Sequence, residues 1–138
     1  MKWYLYLNYR IYNYYNKRQD IPVFSSLLVM SLLIFINIFS IHTIYSLITD
    51  FWTIPKLNPE YKIIITVFMT FLLIFHYFLF YHKDKHINIF KEFEENTDKY
   101  NNWDLSVRLY IIGSFILCLI ILVIIDLRNH NFELYFLK

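Results

Sequence analysis

Long runs of uncharged residues constrain this chain more than any other feature. Residues 21–49, 63–82 and 109–125 contain no Asp, Glu, Lys or Arg. A helix rises 1.5 Å per residue, so about 20 apolar residues cross a hydrocarbon core about 30 Å thick. Hydrophobic residues make up 58% of the chain, and its mean hydropathy is +0.40. The sequence therefore predicts an all-α integral membrane protein with three transmembrane helices.

The boundaries of these helices follow from local signals. Asn58, Pro59 and Glu60 are typical of a helix start, and Asp104 is a candidate cap for the third span. Because no proline or glycine comes directly after the second span, we expect this helix to extend beyond the membrane to near Asn96. The predicted organisation is a single membrane-embedded domain, 1–138, with an interfacial segment at 1–20, spans at 22–48, 60–81 and 105–125, a cytoplasmic helical connection at 82–104 and a short tail at 126–138.

The first 20 residues combine aromatic rings with cations. Trp3, Leu7 and Ile11 share one face of a helix, whereas Lys2 and Lys17 lie on the opposite face. This pattern favours a helix lying in the headgroup layer; a short helix packed on the spans is the alternative. Residues predicted to anchor the protein at the membrane interface are Trp3, Arg10, Lys17, Arg18, Trp52, Trp103 and Arg108.

The distribution of cations predicts the orientation. In a three-span arrangement nine cations fall on one side: Lys2, Arg10, Lys17, Arg18, Lys83, Lys85, Lys91, Lys99 and Arg108. Four fall on the other: Lys56, Lys62, Arg128 and Lys138. Since cytoplasmic segments carry the excess of Lys and Arg, we expect a cytoplasmic N-terminus and an external C-terminus. The lipid bilayer is thus the first predicted partner.

Each span carries a stripe of small or hydroxyl residues. The stripes comprise Ser26, Asn37, Ser40 and Thr43 in the first span, Thr66, Thr70 and Tyr77 in the second, and Ser106, Tyr110, Gly113 and Ser114 in the third. Such residues allow membrane helices to approach closely and to form hydrogen bonds across the contact. The stripes therefore predict helix-packing faces, and a pore lining is the alternative. Asn37 would form an interhelical hydrogen bond or line a pore, because an unpaired amide is costly in the middle of a membrane.

The sequence contains no recognisable catalytic or metal-binding motif. His82 and His86 have i, i+4 spacing, but no third ligand has motif spacing and the neighbouring lysines oppose a cation. His42 and His76 are predicted at opposite depths, which argues against a shared site. A net charge of +2 is too small to indicate nucleic-acid binding. We therefore expect no enzyme activity, no cofactor, no metal and no nucleic-acid partner.

The N-terminal segment from Tyr4 to Lys17, with its Tyr9-Arg10-Ile11-Tyr12 sequence followed by hydrophobic spans, resembles a group of small uncharacterised membrane proteins of Bacteroidota. Members of that group have a Tyr/Arg-rich start and three to four spans. The resemblance implies a bacterial inner-membrane location, and it implies no activity.

Two functions from different classes are compatible with these features. The first is a non-enzymatic protein that acts by helix association, as a homo-oligomer or as a subunit of a larger membrane assembly. The alternative is a membrane-perturbing or pore-forming effector of the holin, toxin or phage-defence type. A small transporter is a third, less favoured hypothesis, because the spans carry few polar groups near the midplane.

Overall fold

The computed structural model describes residues 2–18, 20–49 and 59–129, which are almost entirely helical. The elements are α1 (Lys2–Asn16), α2 (Pro22–Thr49), α3 (Pro59–His76), a π-helical turn (Tyr77–Tyr81), a 3-10 turn (His82–Asp84), α4 (Lys85–Glu95) and α5 (Thr97–Asn129). Trp52 and the predicted helix-start residue Asn58 lie outside the described residues, as does the tail from residue 130 onward.

Helix α2 is the centre of the bundle. Helices α1, α3 and α5 all pack on α2. Its buried positions include the small residues Ser26, Ser40 and Thr43, none of which is exposed. Small side chains permit close approach of neighbouring helices, which explains why the helix with the fullest polar stripe has the most neighbours.

Helix α5 packs through one narrow stripe. Tyr100, Val107, Ser114 and Ile121 are each at most 5% exposed, and they recur every seven residues. A seven-residue repeat keeps one side of a helix facing its partner over many turns, as in a coiled coil. The remainder of α5 is exposed along most of its length. The helix therefore joins the bundle along a single line of contact, mainly with α2.

Helix α1 packs against the other helices. It doubles back on α2 and shares neighbours with it: Tyr4 and Ser31 both reach His76 of α3, while Asn8 and Ser26 both reach Tyr81. These pairs place α1 antiparallel to α2. The buried residues of α1 run almost without interruption from position 6 to position 11, so neighbours cover more than one face. The favoured prediction for this segment is a helix lying in the headgroup layer, and a short helix packed on the spans is the alternative. Helix α1 has the packed arrangement.

The connection after α3 differs from a simple helical extension. The chain is helical to Glu95, near the predicted end, but it bends between Tyr77 and Asp84. Lys83 and Asp84 have φ values of 57° and 55°, in the left-handed region that side chains with a Cβ disfavour. Two consecutive left-handed residues redirect the chain, and α4 then packs on α1. The extension is therefore a separate helix.

The prediction that Asp104 caps the third helix is wrong. Helix α5 already begins at Thr97, and Asp104 lies two turns inside it. The carboxylate of Asp104 instead binds side chains of α1. Asp104 therefore joins α5 to α1 and does not cap α5.

Three described helices are long and apolar enough to cross a membrane: Pro22–Thr49, Lys62–Glu95 and Thr97–Leu127, where the second range runs through the bend into α4. Large apolar side chains are exposed on each, among them Ile41, Phe71 and Ile116. Exposed apolar faces of this length are typical of helices that contact lipid. The structure therefore agrees with a three-span membrane protein in its helix content, length and surface.

Candidate functional site

A buried imidazole on α3 connects α1, α2 and α3. His76 is fully buried, and its Nε2 lies 2.5 Å from the Tyr4 hydroxyl. Its Nδ1 lies 2.8 Å from the Leu72 carbonyl and 3.1 Å from Ser31 Oγ. Because a carbonyl can only accept, Nδ1 carries the proton and Nε2 accepts from Tyr4. The ring is neutral in this arrangement, and every polar atom of it has a partner.

A second buried group lies about one turn away, around Tyr81. The Tyr81 hydroxyl is 2.5 Å from Ser26 Oγ and donates to Asn8 Oδ1 at 3.2 Å. Because the single hydroxyl proton of Ser26 goes to the Val23 carbonyl at 2.9 Å, Ser26 Oγ accepts from Tyr81, whose one proton is shared between Ser26 and Asn8. Asn8 is fully buried, and its Nδ2 has no hydrogen-bond partner among the described residues. We call these two groups together, Tyr4, Asn8, Ser26, Ser31, His76 and Tyr81, the polar clamp.

The middle of the first span carries a third polar contact. Asn37 Nδ2 donates to the Tyr110 hydroxyl at 2.7 Å, which joins α2 to α5. The indole of Trp3 covers the Tyr110 ring edge-on, with 5.3 Å between ring centroids. Ser114 donates to the Tyr110 carbonyl at 2.9 Å. The amide of Asn37 is therefore used inside the chain, as the packing interpretation expects.

A carboxylate anchors α1 to the start of α5. Asp104 accepts from the Tyr6 hydroxyl at 2.6 Å and from Arg10 Nη2 at 2.7 Å. Arg108 Nη2 approaches the same carboxylate only to 3.9 Å. Burial, together with the hydrogen bond to Asp104, raises the pKa of Tyr6 far above its usual range, so that its hydroxyl remains a donor.

An exposed ion pair lies at the tip of α1. Lys2 Nζ is 3.0 Å from Glu92 Oε1, and the Tyr100 hydroxyl donates to the same oxygen at 3.2 Å. The hydrogen bond from Lys2 and then that from Tyr100 lower the pKa of the Glu92 carboxyl. Because both charged partners are solvated, this pair orients α4 more than it stabilises the fold.

Aromatic rings fill the space between α1, α4 and the start of α5. Tyr6 contacts Phe93, Tyr100 and Trp103 with centroid distances of 5.2–5.8 Å. The His86 ring lies tilted against Tyr81, with 4.8 Å between ring centroids, and burial lowers the pKa of His86 below its usual value. Edge-to-face and offset pairs at such distances add to the energy of burial. This cluster resembles the core of a water-soluble domain more than a contact between membrane helices.

The predicted packing stripes divide into two sets. Ser26, Asn37, Ser40, Thr43, Tyr110 and Ser114 lie in contacts within the chain. Thr66, Thr70, Tyr77, Ser106 and Gly113 face outward. The hydroxyls of Thr66 and Thr70 donate to the carbonyls one turn earlier in their own helix, at 2.7 and 2.8 Å. In the part of the chain that the structure describes, the second-span stripe is thus exposed, because α3 presents another face to α2.

The predicted interface anchors also fall into two groups, one partly buried and one exposed. Trp3, Arg10 and Trp103 are partly buried and contact protein groups. Lys17, Arg18 and Arg108 are exposed, and the Arg18 guanidinium lies 4.3 Å above the Tyr14 ring. Three of the six predicted anchors that the structure describes therefore hold α1 and α5 together, and the other three are exposed.

Sequence reasoning missed part of the polar clamp. Tyr4 and Asn8 are four residues apart and so share one side of α1, but they lie between its apolar and cationic faces. An i, i+4 pair of hydrogen-bonding groups on a short aromatic helix was the available signal. Neither Ser31 nor His76 could be paired with α1 without knowing that α1 folds back on α2.

Among the described residues no cluster of three or more His, Cys, Asp or Glu side chains could hold a metal ion. The bend at Lys83 and Asp84 separates His82 from the helix that carries His86.

Comparisons with known proteins add nothing to this geometry: no family model, curated protein or solved structure matches the chain.

Proposed function

We propose that this protein is a non-enzymatic component of the bacterial inner membrane that acts by helix association, as a homo-oligomer or as a subunit of a larger membrane assembly. Its N-terminus would face the cytoplasm, and its C-terminus would be external. One observation carries the proposal: small and hydroxyl residues on the outer sides of α3 and α5 are exposed and pack against no other helix among the described residues.

Gly113 is the clearest of these residues. It is the only glycine of the chain, it lies inside α5, and it is exposed. A Cβ built at this position would meet no atom within 4 Å, so no contact in the described part of the chain requires glycine. Glycine costs about 1 kcal/mol relative to alanine inside a helix. Close approach of a helix from another chain supplies the missing reason, since glycine permits such approach in membranes.

Neighbouring residues extend this outward surface. Ser106 lies seven residues before Gly113 and is also exposed, so both occupy one side of α5. Thr66 and Thr70 form a similar pair on the exposed side of α3. Helices α3 and α5 each pack mainly on α2, and the described outward residues Thr66, Thr70, Ser106 and Gly113 are exposed.

The mass of the purified protein tests this proposal. We expect wild-type protein in mild detergent to be larger than one chain, by self-association or with a co-purified membrane protein. Gly113→Leu should shift it to the monomer, whereas the matched control Ile112→Leu, on an exposed apolar position beside it, should not. A wild-type protein that is monomeric and partner-free in detergent and in lipid nanodiscs would refute the proposal.

The competing proposal is a pore-forming effector. It would need polar groups facing a conduction path, but the amide of Asn37 donates to Tyr110 inside the chain. The geometry therefore favours association. Induced expression with a membrane-potential dye separates the two functions: a collapse of the potential that Asn37→Leu abolishes, with insertion retained, would support the effector.

A further inference from the structure

Arg108 occupies a special position on α5. It is the last charged residue before the uncharged residues 109–125, which are just long enough to cross a hydrocarbon core. Its side chain is 71% exposed. If α5 spans the membrane, as the proposed function requires, the guanidinium of Arg108 lies where the hydrocarbon ends and lipid phosphates begin.

Among the residues that the structure describes, the hydrogen-bond donors of Arg108 are largely unused. The two oxygens of Asp104 already accept short hydrogen bonds from Tyr6 and Arg10, at 2.6 and 2.7 Å. Arg108 comes only within 3.9 Å of that carboxylate, beyond hydrogen-bond distance. Two guanidinium groups around one carboxylate leave an unbalanced positive charge, and Arg108 carries it on the exposed side.

An apolar face begins beside this guanidinium and continues along α5. Leu105, Leu109, Ile112 and Ile116 are 51–65% exposed. Their spacing of three or four residues places them on one side of the helix, adjacent to Arg108. The buried stripe with Val107 and Ser114 lies on the other side. A cation at one end of a long exposed apolar face matches a phospholipid in both charge and shape.

We propose that Arg108 and the apolar face beside it form a binding site for an anionic phospholipid. The guanidinium binds the headgroup phosphate, and the acyl chains lie along Leu105, Leu109, Ile112 and Ile116. Arginine suits this role because its planar fork donates two parallel hydrogen bonds to phosphate oxygens. The Arg10–Asp104 pair fixes the position of α1 beside the site and leaves Arg108 free for the lipid.

Native mass spectrometry of the full chain tests this inference. Delipidated protein is exposed to an equimolar mixture of phosphatidylglycerol and phosphatidylcholine, and the retained lipids are counted. Wild-type protein should prefer phosphatidylglycerol, because the choline cation cancels the phosphate charge in phosphatidylcholine, and Arg108→Gln should reduce that preference about tenfold through the lost attraction between the two net charges. The control Lys91→Gln removes an exposed cation from α4 and should retain the preference.

Two results would overturn the inference. The first is an unchanged preference in Arg108→Gln protein that elutes and unfolds like the wild type. The second is binding of inorganic phosphate by the wild type without any preference for phosphatidylglycerol, which would identify a site for a soluble anion. Should Arg108→Gln fail to fold, added salt must still weaken the wild-type preference, or the inference fails. Monomeric protein that retains phosphatidylglycerol would refute the proposed association while supporting this site.

Discussion

At the scale of single residues, the polar clamp shows how a bundle of apolar helices accommodates hydrogen-bonding groups. His76 would be costly if left unpaired in an apolar surrounding. Its two ring nitrogens are instead satisfied by Tyr4, Leu72 and Ser31. The hydroxyl of Tyr4 thus couples the position of α1 to the burial of a histidine on α3.

Replacement of Tyr4 by phenylalanine tests this coupling. Tyr4→Phe keeps the ring contacts with Phe80 but leaves Nε2 of His76 without a donor. We expect the free energy of unfolding to fall by about 1–3 kcal/mol, the cost of a buried unsatisfied group. Equilibrium unfolding in mixed detergent micelles measures it. Tyr14→Phe, at a half-exposed position of the same helix, serves as the control; equal stability of both variants would contradict the coupling.

At the scale of helices, the bend between α3 and α4 determines where α4 packs. The left-handed conformations of Lys83 and Asp84 cost about 1 kcal/mol or more each. That cost is tolerated because α4 then buries Phe90 and Phe93 against α1. The sequence could not indicate this bend, since neither residue is one that favours a left-handed conformation as glycine does.

Glycine substitution tests the strain at this bend. Asp84→Gly should raise the free energy of unfolding by up to about 1 kcal/mol, because glycine adopts a positive φ without steric cost. Lys85→Gly is the matched control: Lys85 begins the right-handed α4, where glycine should lower stability by up to about 1 kcal/mol. The same unfolding measurement distinguishes them. A loss of stability in both variants would show that the bend stores no such strain.

Much of the helix structure could be predicted from the sequence. The features that could not be predicted share one cause. Helix α2 begins at Pro22, as predicted, because proline is suited to a first helical turn. The start of α5 at Thr97 could not be predicted from Asp104, whose partners Tyr6 and Arg10 are almost 100 residues away in sequence. Local signals predict helices well, whereas side-chain roles depend on which helices become neighbours.

At the scale of the whole molecule, the bundle has two unlike ends. Helices α1 and α4 and the start of α5 surround an aromatic cluster with ion pairs at its edge. Among the described residues, the other end consists of α2, α3 and α5, with apolar side chains such as Ile48, Ile63 and Leu119 exposed. In the proposed orientation, with a cytoplasmic N-terminus, the end that carries the ion pairs would lie on the cytoplasmic side.

Cysteine labelling tests this orientation. In a Cys118→Ser background, Lys56→Cys places a thiol in the predicted external connection, which lies outside the described residues. A membrane-impermeant maleimide should label it in intact cells, whereas Lys17→Cys should be labelled only after permeabilisation. The reverse pattern would invert the orientation.

The sequence by itself determined that the chain is helical with three candidate spans, because hydrophobicity over about 20 residues is a local property. It also indicated Asn37 as a residue that needs a partner. Only the tertiary structure decided that the partner is Tyr110, that α1 packs on α2, and which stripes remain outward. Such pairings depend on helix rotation and on the bend before α4, and both result from packing across distant parts of the chain.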